Sequence, residues 1–242
     1  MTEAFGKAVA LVFAHNEVLS LRETVQSIAQ SCQASDIARI VIFLALHATE
    51  QCCAEAQRLA GNTQLPIAVI VAQEQGRGFA VEVPQLLSQQ NDATHVAIWA
   101  ADLDTPPHLL AHMLAAAKQQ PAAVIKLSRF VAGGQLSSRR VPRVLFRYAV
   151  NLLYRSQQTD PHHGECLFPL AMFLRFRLTE KHMAFFLEYS LCFERMGVPF
   201  IELPKTQQLR REGKSNMSLR KKMRYLVPLV RVRMLPRRKI IK

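Results

Sequence analysis

No stretch of this 242-residue chain approaches the roughly 18 consecutive apolar residues that a bilayer-spanning helix needs. Its beginning also lacks the charged, apolar and small-residue layout of a secretory signal. Cysteine is sparse and odd in number, five in all, and Cys52 and Cys53 are adjacent. That excludes the even, spaced framework of a disulfide-stapled secreted domain and points to a reducing cytoplasm. There is no internal repeat, no low-complexity linker, no catalytic-triad pattern, and no zinc-finger or RNA-recognition signature. The adjacent His162 and His163, with Glu165 and Cys166 nearby, do not follow structural-zinc spacing. What is present is a composition that is 50% hydrophobic, enough at this length to bury a sizeable core without cross-links. The expected organisation is one α/β domain over residues 1–218 followed by a basic segment over 219–242.

The stretch from His95 to Pro107 carries the most chemistry, because an apolar run delivers Asp102 and Asp104 into a proline-stopped turn. Two carboxylates at a strand end suit a hard cation whose coordination is completed by phosphate oxygens, and a nucleotide diphosphate is the natural partner. The same residues also suit a plainer role, with Asp104 or Thr105 capping a helix whose first turn holds Pro106 and Pro107. Around this stretch, element types alternate. Strands are expected at Ala8–Ala14, Ile40–Leu44, Ile67–Val71, Val96–Trp99 and Val124–Leu127. Helices are expected after Asn16 as cap, with Val18, Leu21, Val25 and Ile28 on one face, and at Glu50–Ala60, Pro107–Lys118 and Val141–Tyr154. Such alternation implies a mostly parallel sheet flanked by helices, with ligands at the carboxyl ends of the strands. Ala14-His15-Asn16-Glu17 and Asp102-Leu103-Asp104 both fall at such ends.

Charge is unevenly spread. Residues 126–155 hold seven Lys/Arg and no acid, and residues 205–242 hold fourteen against one, so the tail alone accounts for the net charge of +13. Within it, Leu219, Met223, Leu226, Val227, Val230 and Met234 recur near helical spacing among Arg220, Lys221, Lys222, Arg224, Arg231 and Arg233. That is the pattern of a basic amphipathic helix at an anionic membrane surface, which places the protein in the cytoplasm, peripheral at the inner face of the membrane. Nucleic acid competes for the same charges, but Tyr225 is the tail's single aromatic, so no stacking platform and no nucleic-acid partner is expected.

Seven short segments follow one another along the chain: Phe13–Glu17, Ala100–Pro107, Ser128–Gly134, Asp160–Gly164, Glu188, Gly197–Pro204 and Arg210–Asn216. In order and spacing they resemble family 2 glycosyltransferases, most closely the branch that transfers mannose or glucose to dolichyl or polyprenyl phosphate. That family has Pro-Ala-Tyr-Asn-Glu at the first and Asp-Ala-Asp-Leu-Gln-x-Pro-Pro at the second, and its Ser-Arg-Phe-x-x-Gly-Gly is intact at the third. Asp-x-x-x-Gly, an acidic helix position, Gly-x-x-x-x-Glu-x-Pro and Arg-x-x-Gly-x-Ser-Lys match the remaining four.

The resemblance implies a GT-A type nucleotide-sugar-binding fold and a metal-dependent, inverting transferase using Mg2+ or Mn2+. It implies donor contacts at Ala14, His15, Asn16, Glu17, Arg77, Ala100 and Asp102, and metal ligation by Asp102 and Asp104. Asp102, Arg210 and Glu188 take catalytic roles, with Arg210 on the departing diphosphate, while Arg129, Arg143 and Ser215 face the phosphate of a polyprenyl-phosphate-like lipid acceptor. The chain departs from the pattern at Leu44-Ala45-Leu46-His47, where the family has Asp-Asp-Gly-Ser, and at Phe13, His15, Ala100 and Asn216. These departures leave open a catalytically silent fold that acts as a binding module.

Overall fold

Branched and small apolar residues alternate through Ala8–Ala14, which forms β1 at the centre of a seven-stranded sheet. A computed structural model describes residues 4–61, 65–72, 79–131, 140–156, 158–161, 163–181, 184–205 and 226–242. The other strands are β2 (Ile37–Leu44), β3 (Ile67–Val71), β4 (His95–Ala100), β5 (Val124–Ser128), β6 (Cys166–Pro169) and β7 (Phe200–Pro204). The helices are α1 (Leu19–Ser31), α2 (Glu50–Ala60), α3 (Phe79–Leu87), α4 (Leu109–Gln119), α5 (Arg140–Tyr154), α6 (Leu170–Leu174), α7 (Phe185–Arg195) and α8 (Leu226–Met234), with a last turn at Arg237–Ile240.

The sheet order is β3-β2-β1-β4-β6-β5-β7, and only β6 runs antiparallel to its neighbours, on both β4 and β5. Alternation along the strands sorts the core into two faces. Ala8, Ala10 and Val12 of β1 pack with Ile40 and Ile42 against α1, α2 and α4, while Val9 and Leu11 pack with Val41, Phe43, Val96 and Ile98 toward α3 and α7. The basic tail joins this second layer: Leu229, Val232 and Ile240 are buried within it, and the Tyr154 hydroxyl donates to the Leu229 carbonyl at 2.7 Å. Among the described residues no helix is long and apolar enough to cross a membrane.

Several boundaries differ from expectation for local reasons. Asn16 does not cap α1, whose cap position is Val18 without a side-chain bond; the Glu17 carboxylate instead accepts from the His15 and Asn16 amides at 2.8 and 3.0 Å. Helix α4 starts after the prolines, at Leu109, with His108 at its cap, so neither Asp104 nor Thr105 caps it. Of the expected tail helix, the part from Leu219 to Tyr225 lies outside the described residues.

Helices α1 and α2 are clamped by Glu55, whose two oxygens accept from Arg22 at 2.7 and 2.9 Å and from Arg58 at 2.6 and 2.9 Å. The hydrogen bonds from Arg22, and then those from Arg58, hold the Glu55 carboxyl down at about 2. A depressed native value stabilises the fold above the ordinary carboxylate range and is lost as pH falls toward 2. Glu55→Gln is therefore expected to lower Tm at pH 7 and to narrow the drop in Tm between pH 5 and pH 3; an unchanged drop in thermal melts would contradict the clamp.

Candidate active site

Strands β1 and β4 lie side by side in parallel, Phe13 opposite Ala100, while the chain leaves β1 toward β2 on its other flank. The strand order thus reverses between β1 and β4, which opens a crevice at their carboxyl ends. Both acidic motifs end there. The Ala101 amide donates to the Phe13 carbonyl at 2.9 Å, joining the turn that starts with Ala14 to the turn that carries Asp102. His15 brings a buried Nδ1 that has no hydrogen-bond partner among the described residues, a polar atom at the mouth of the crevice.

The Asp102 turn is fixed by its own backbone. Leu103 adopts φ 55°, a left-handed conformation costly for a branched side chain, and it is 2% exposed. This turn brings the Asp104 amide onto Asp102 Oδ1 at 3.1 Å. Asp104 Oδ2 accepts from Lys205 Nζ at 2.9 Å; the lysine side chain is fully buried and the carboxylate is 24% exposed. Behind them Thr105 Oγ1 donates to Glu165 Oε1 at 3.1 Å, and His163 Nε2 lies 3.1 Å from Glu165 Oε2. Burial pushes the Glu165 carboxyl up, Lys205 opposes this, and Asp102 and Asp104 add to the rise.

Among the described residues no group of three or more His, Cys, Asp and Glu side chains forms a metal cage. The donor set of Asp102 and Asp104 nevertheless fits Mg2+ or Mn2+, ions commonly held by one or two carboxylates with substrate phosphates supplying the rest. Lys205 beside them adds a fixed positive charge at the same strand end. Because the ammonium is buried, Asp104→Gln is expected to lower stability by about 2 kcal/mol, with most of it restored in Asp104→Gln/Lys205→Met. Denaturant melts of the two variants check this, and a double variant no more stable than the single would contradict it.

Other site residues fall differently. Arg129, at the end of β5, places Nε and Nη2 on the Asp160 carboxylate at 2.6 and 2.7 Å, with side-chain exposures of 5% and 1%. Burial alone would raise the Asp160 carboxyl, but the hydrogen bond and charge of Arg129 outweigh it and hold it below its ordinary range. Glu202 accepts from the Thr159 and Asp160 amides at 2.8 to 3.0 Å and fixes this loop. Glu188, at the start of α7, accepts from the Thr179 and Glu180 amides at 2.7 to 3.1 Å and pairs with Arg231 of α8. Arg143 lies in α5, whereas Arg77, Arg210 and Ser215 lie outside the described residues.

Sequence reasoning missed Lys205 and Glu165 as site residues. A signal for Lys205 existed: it directly follows β7, a strand parallel to β5 whose end lies on the same side of the sheet. Phe13, at the family's proline position, is explained by packing, since its ring lies 5.2 to 5.3 Å from those of Phe43, Phe79 and Phe186.

No family model matches the sequence, and no curated protein matches it. Solved structures do match its fold. Glucosyl-3-phosphoglycerate synthase from Mycobacterium tuberculosis bound to UDP superposes with a TM-score of 0.73 at 12% identity, covering 96% of this chain and 81% of that one. The same enzyme with Mn2+, UDP-glucose and phosphoglyceric acid gives 0.74 at 13% identity, with coverages of 96% and 81%. With Mg2+ and UDP it gives 0.71 at 13%, with coverages of 96% and 80%. The fold is therefore that of the GT-A glycosyltransferases, a mixed α/β architecture with a mostly parallel sheet.

Proposed function

We propose that the chain transfers a sugar from a nucleotide-sugar donor to a phosphate-bearing acceptor, with inversion, and that the acceptor is a polyprenyl-phosphate-like lipid at the membrane surface. The observation that carries this is the pairing of two motif-bearing turns, Ala14–Glu17 and Ala100–Asp104, at the switch point between β1 and β4. In this reading the donor lies along Ala14, His15, Asn16 and Glu17 and against Ala100, with Arg77 completing its contacts. Asp102 and Asp104 would hold Mg2+ or Mn2+, which when bound supplies Lewis-acid charge to the departing diphosphate. Arg210 adds bidentate contacts to the same group, and Lys205 contributes its charge through Asp104.

Arg129, Arg143 and Ser215 orient the acceptor phosphate. One of its oxygens attacks the anomeric carbon as the bond from that carbon to the diphosphate oxygen breaks, leaving the nucleoside diphosphate. The attacking oxygen is already anionic near neutral pH, so Glu188 is not needed as a general base. It serves instead to hold Arg231 and the turn at Thr179. A nucleotide-sugar binder without turnover is the second reading, favoured by Ala100 and by Leu44–His47 in place of the family's acidic residues.

A thermal-shift screen of UDP- and GDP-sugars with and without Mn2+ tests the donor site, since ligand bound to the native state raises Tm. At least one donor is expected to raise Tm with metal present, and no shift with any of them would overturn the reading. Product formation on a polyprenyl phosphate then separates the enzyme from a silent binder.

Membrane attachment is supported by α8, where Leu226, Val227, Val230 and Met234 are 41% to 77% exposed while Leu229 and Val232 are buried. Removing the tail would strip core residues, so its charges are the better target. The full chain is expected to co-sediment with phosphatidylglycerol vesicles at low salt and to be released at high salt. Absence of binding at low salt would remove the membrane role.

A further inference from the structure

Three arginines meet around a cavity that shares no residue with the site at Asp102. Leu153, Tyr154 and Arg155 from the end of α5, Arg195 from the end of α7 and Arg233 from α8 line a volume of about 400 Å³. Among the described residues no carboxylate lines it, and none of the three arginines is ion-paired with an acid. Their recorded hydrogen bonds go to neutral carbonyls: Arg195 Nη2 donates to Leu235 at 3.1 Å and Arg233 Nε to Leu153 at 2.7 Å. Arg195 Nε is buried and has no hydrogen-bond partner among the described residues. Arg155 is held at φ 54°, a conformation uncommon for a residue with a side chain, where the chain turns off the end of α5.

Three arginines line one cavity with no described acid paired to them, and an anion with several acceptor oxygens supplies the counter-charge and the acceptors that planar guanidinium donors take. Phosphate has that chemistry. The surroundings distinguish between phosphates. Leu152 and Met234, adjacent in sequence to lining residues, are 83% and 77% exposed, and Leu145, Tyr148 and Val230 on the same two helices are 55% to 65% exposed. A small soluble anion has no use for exposed apolar residues on the helices that carry the cavity, whereas an acyl chain does.

The geometry points to a headgroup site for an anionic phospholipid, with the phosphate among Arg155, Arg195 and Arg233 and the glycerol and acyl portion along Leu152 and Met234. It rests on the membrane attachment proposed above and is independent of donor chemistry. It also moves part of that attachment off the tail, because Arg155 and Arg195 lie in the main body. A diffuse basic surface concentrates lipid without stoichiometry; this cavity takes one headgroup.

Calorimetric titration of the full chain with dihexanoyl-phosphatidylglycerol, below its micelle concentration, tests the site. Saturable binding at one lipid per chain is expected. Arg195→Gln and the more exposed Arg155→Gln should each weaken it by about tenfold or more, since each loses a charge-assisted contact. Arg177→Gln, the same charge change at an exposed residue that does not line the cavity, should change it by less than about twofold. Arg155→Gln keeps the test decisive if Arg195→Gln does not fold. Absence of saturation in the unmodified chain, or equal losses in Arg155→Gln and Arg177→Gln, would overturn the inference. Inorganic phosphate that binds as tightly as the lipid and displaces it would overturn the lipid assignment. Vesicle binding that persists while the short-chain lipid fails to saturate removes this site and leaves the tail's attachment standing.

Discussion

Asp102→Ala is expected to abolish the part of nucleotide binding that depends on Mn2+, a loss of about 100-fold in affinity at saturating metal, while leaving metal-free binding nearly unchanged. The size follows from the donor set. Asp102 and Asp104 are the two carboxylates this turn offers a divalent ion, and Asp104 also pairs with Lys205 at 2.9 Å. An ion held by one or two carboxylates and the substrate's phosphates does not survive loss of half its protein ligands. Asp102 also accepts the Asp104 amide, so alanine removes a turn contact as well as a ligand. Asp102→Asn separates the two effects, because its amide oxygen still accepts from that N–H but lacks the charge. Both variants should lose the manganese increment in a calorimetric titration with a nucleoside diphosphate, and only alanine should lower the Tm of the unliganded chain. Equal affinity in the unmodified protein and Asp102→Asn with saturating Mn2+ would remove Asp102 from metal binding.

The sequence is most legible where one physical pattern acts alone. Continuous apolar runs such as Ala8–Ala14 and Val96–Trp99 have one stable destination, a strand covered on both faces, and they form the centre of the sheet. Legibility falls where two signals conflict. Helix α3 escapes notice because Pro84 lies inside it and reads as a breaker, yet the helix buries Ala80, Val83, Leu86 and Leu87 against the sheet. Strand β6 is four residues long and antiparallel, too short for periodicity to register. Asn16 looks like a cap because its residue type suits one, but Glu17 satisfies the loop amides from one position further on.

The site shows the same division. Asp102 and Asp104 stand out because they end a strand, and motif order links them to Ala14–Glu17. Lys205 is 101 residues from Asp104 in sequence, and only the sheet order brings its neighbourhood within reach. The partner of Glu188 escapes sequence reading for a related reason. Its partner Arg231 sits in a tail that looks like a detached surface helix, whereas the tail buries Leu229 and Val232 against the same body.

The second large effect concerns Arg129 and bears on how acceptor binding can be tested at all. Its pair with Asp160 is almost completely buried and bidentate, and Asp160 is further tied to Glu202 through its own amide. Arg129→Met would leave a carboxylate of 1% exposure without its guanidinium, and an uncompensated buried charge of this kind costs about 3–5 kcal/mol. Lys126 lies close enough to favour the Asp160 carboxylate, but burial works against its own charge, so it offsets little of the loss. Asp160→Leu added to Arg129→Met should recover most of the stability, because the apolar pair carries no charge to desolvate. Chemical denaturation of the two variants measures this, and a loss below about 1 kcal/mol in Arg129→Met would show that the pair is not the anchor its geometry describes. The consequence for function is direct. An inactive Arg129→Ala would report a collapsed loop as readily as a lost phosphate contact. Arg129→Met/Asp160→Leu, if folded and still able to bind donor, isolates the acceptor contact from stability: loss of transfer then belongs to the Arg129–Asp160 pair, and retained transfer assigns the acceptor phosphate to Arg143 and Ser215 instead.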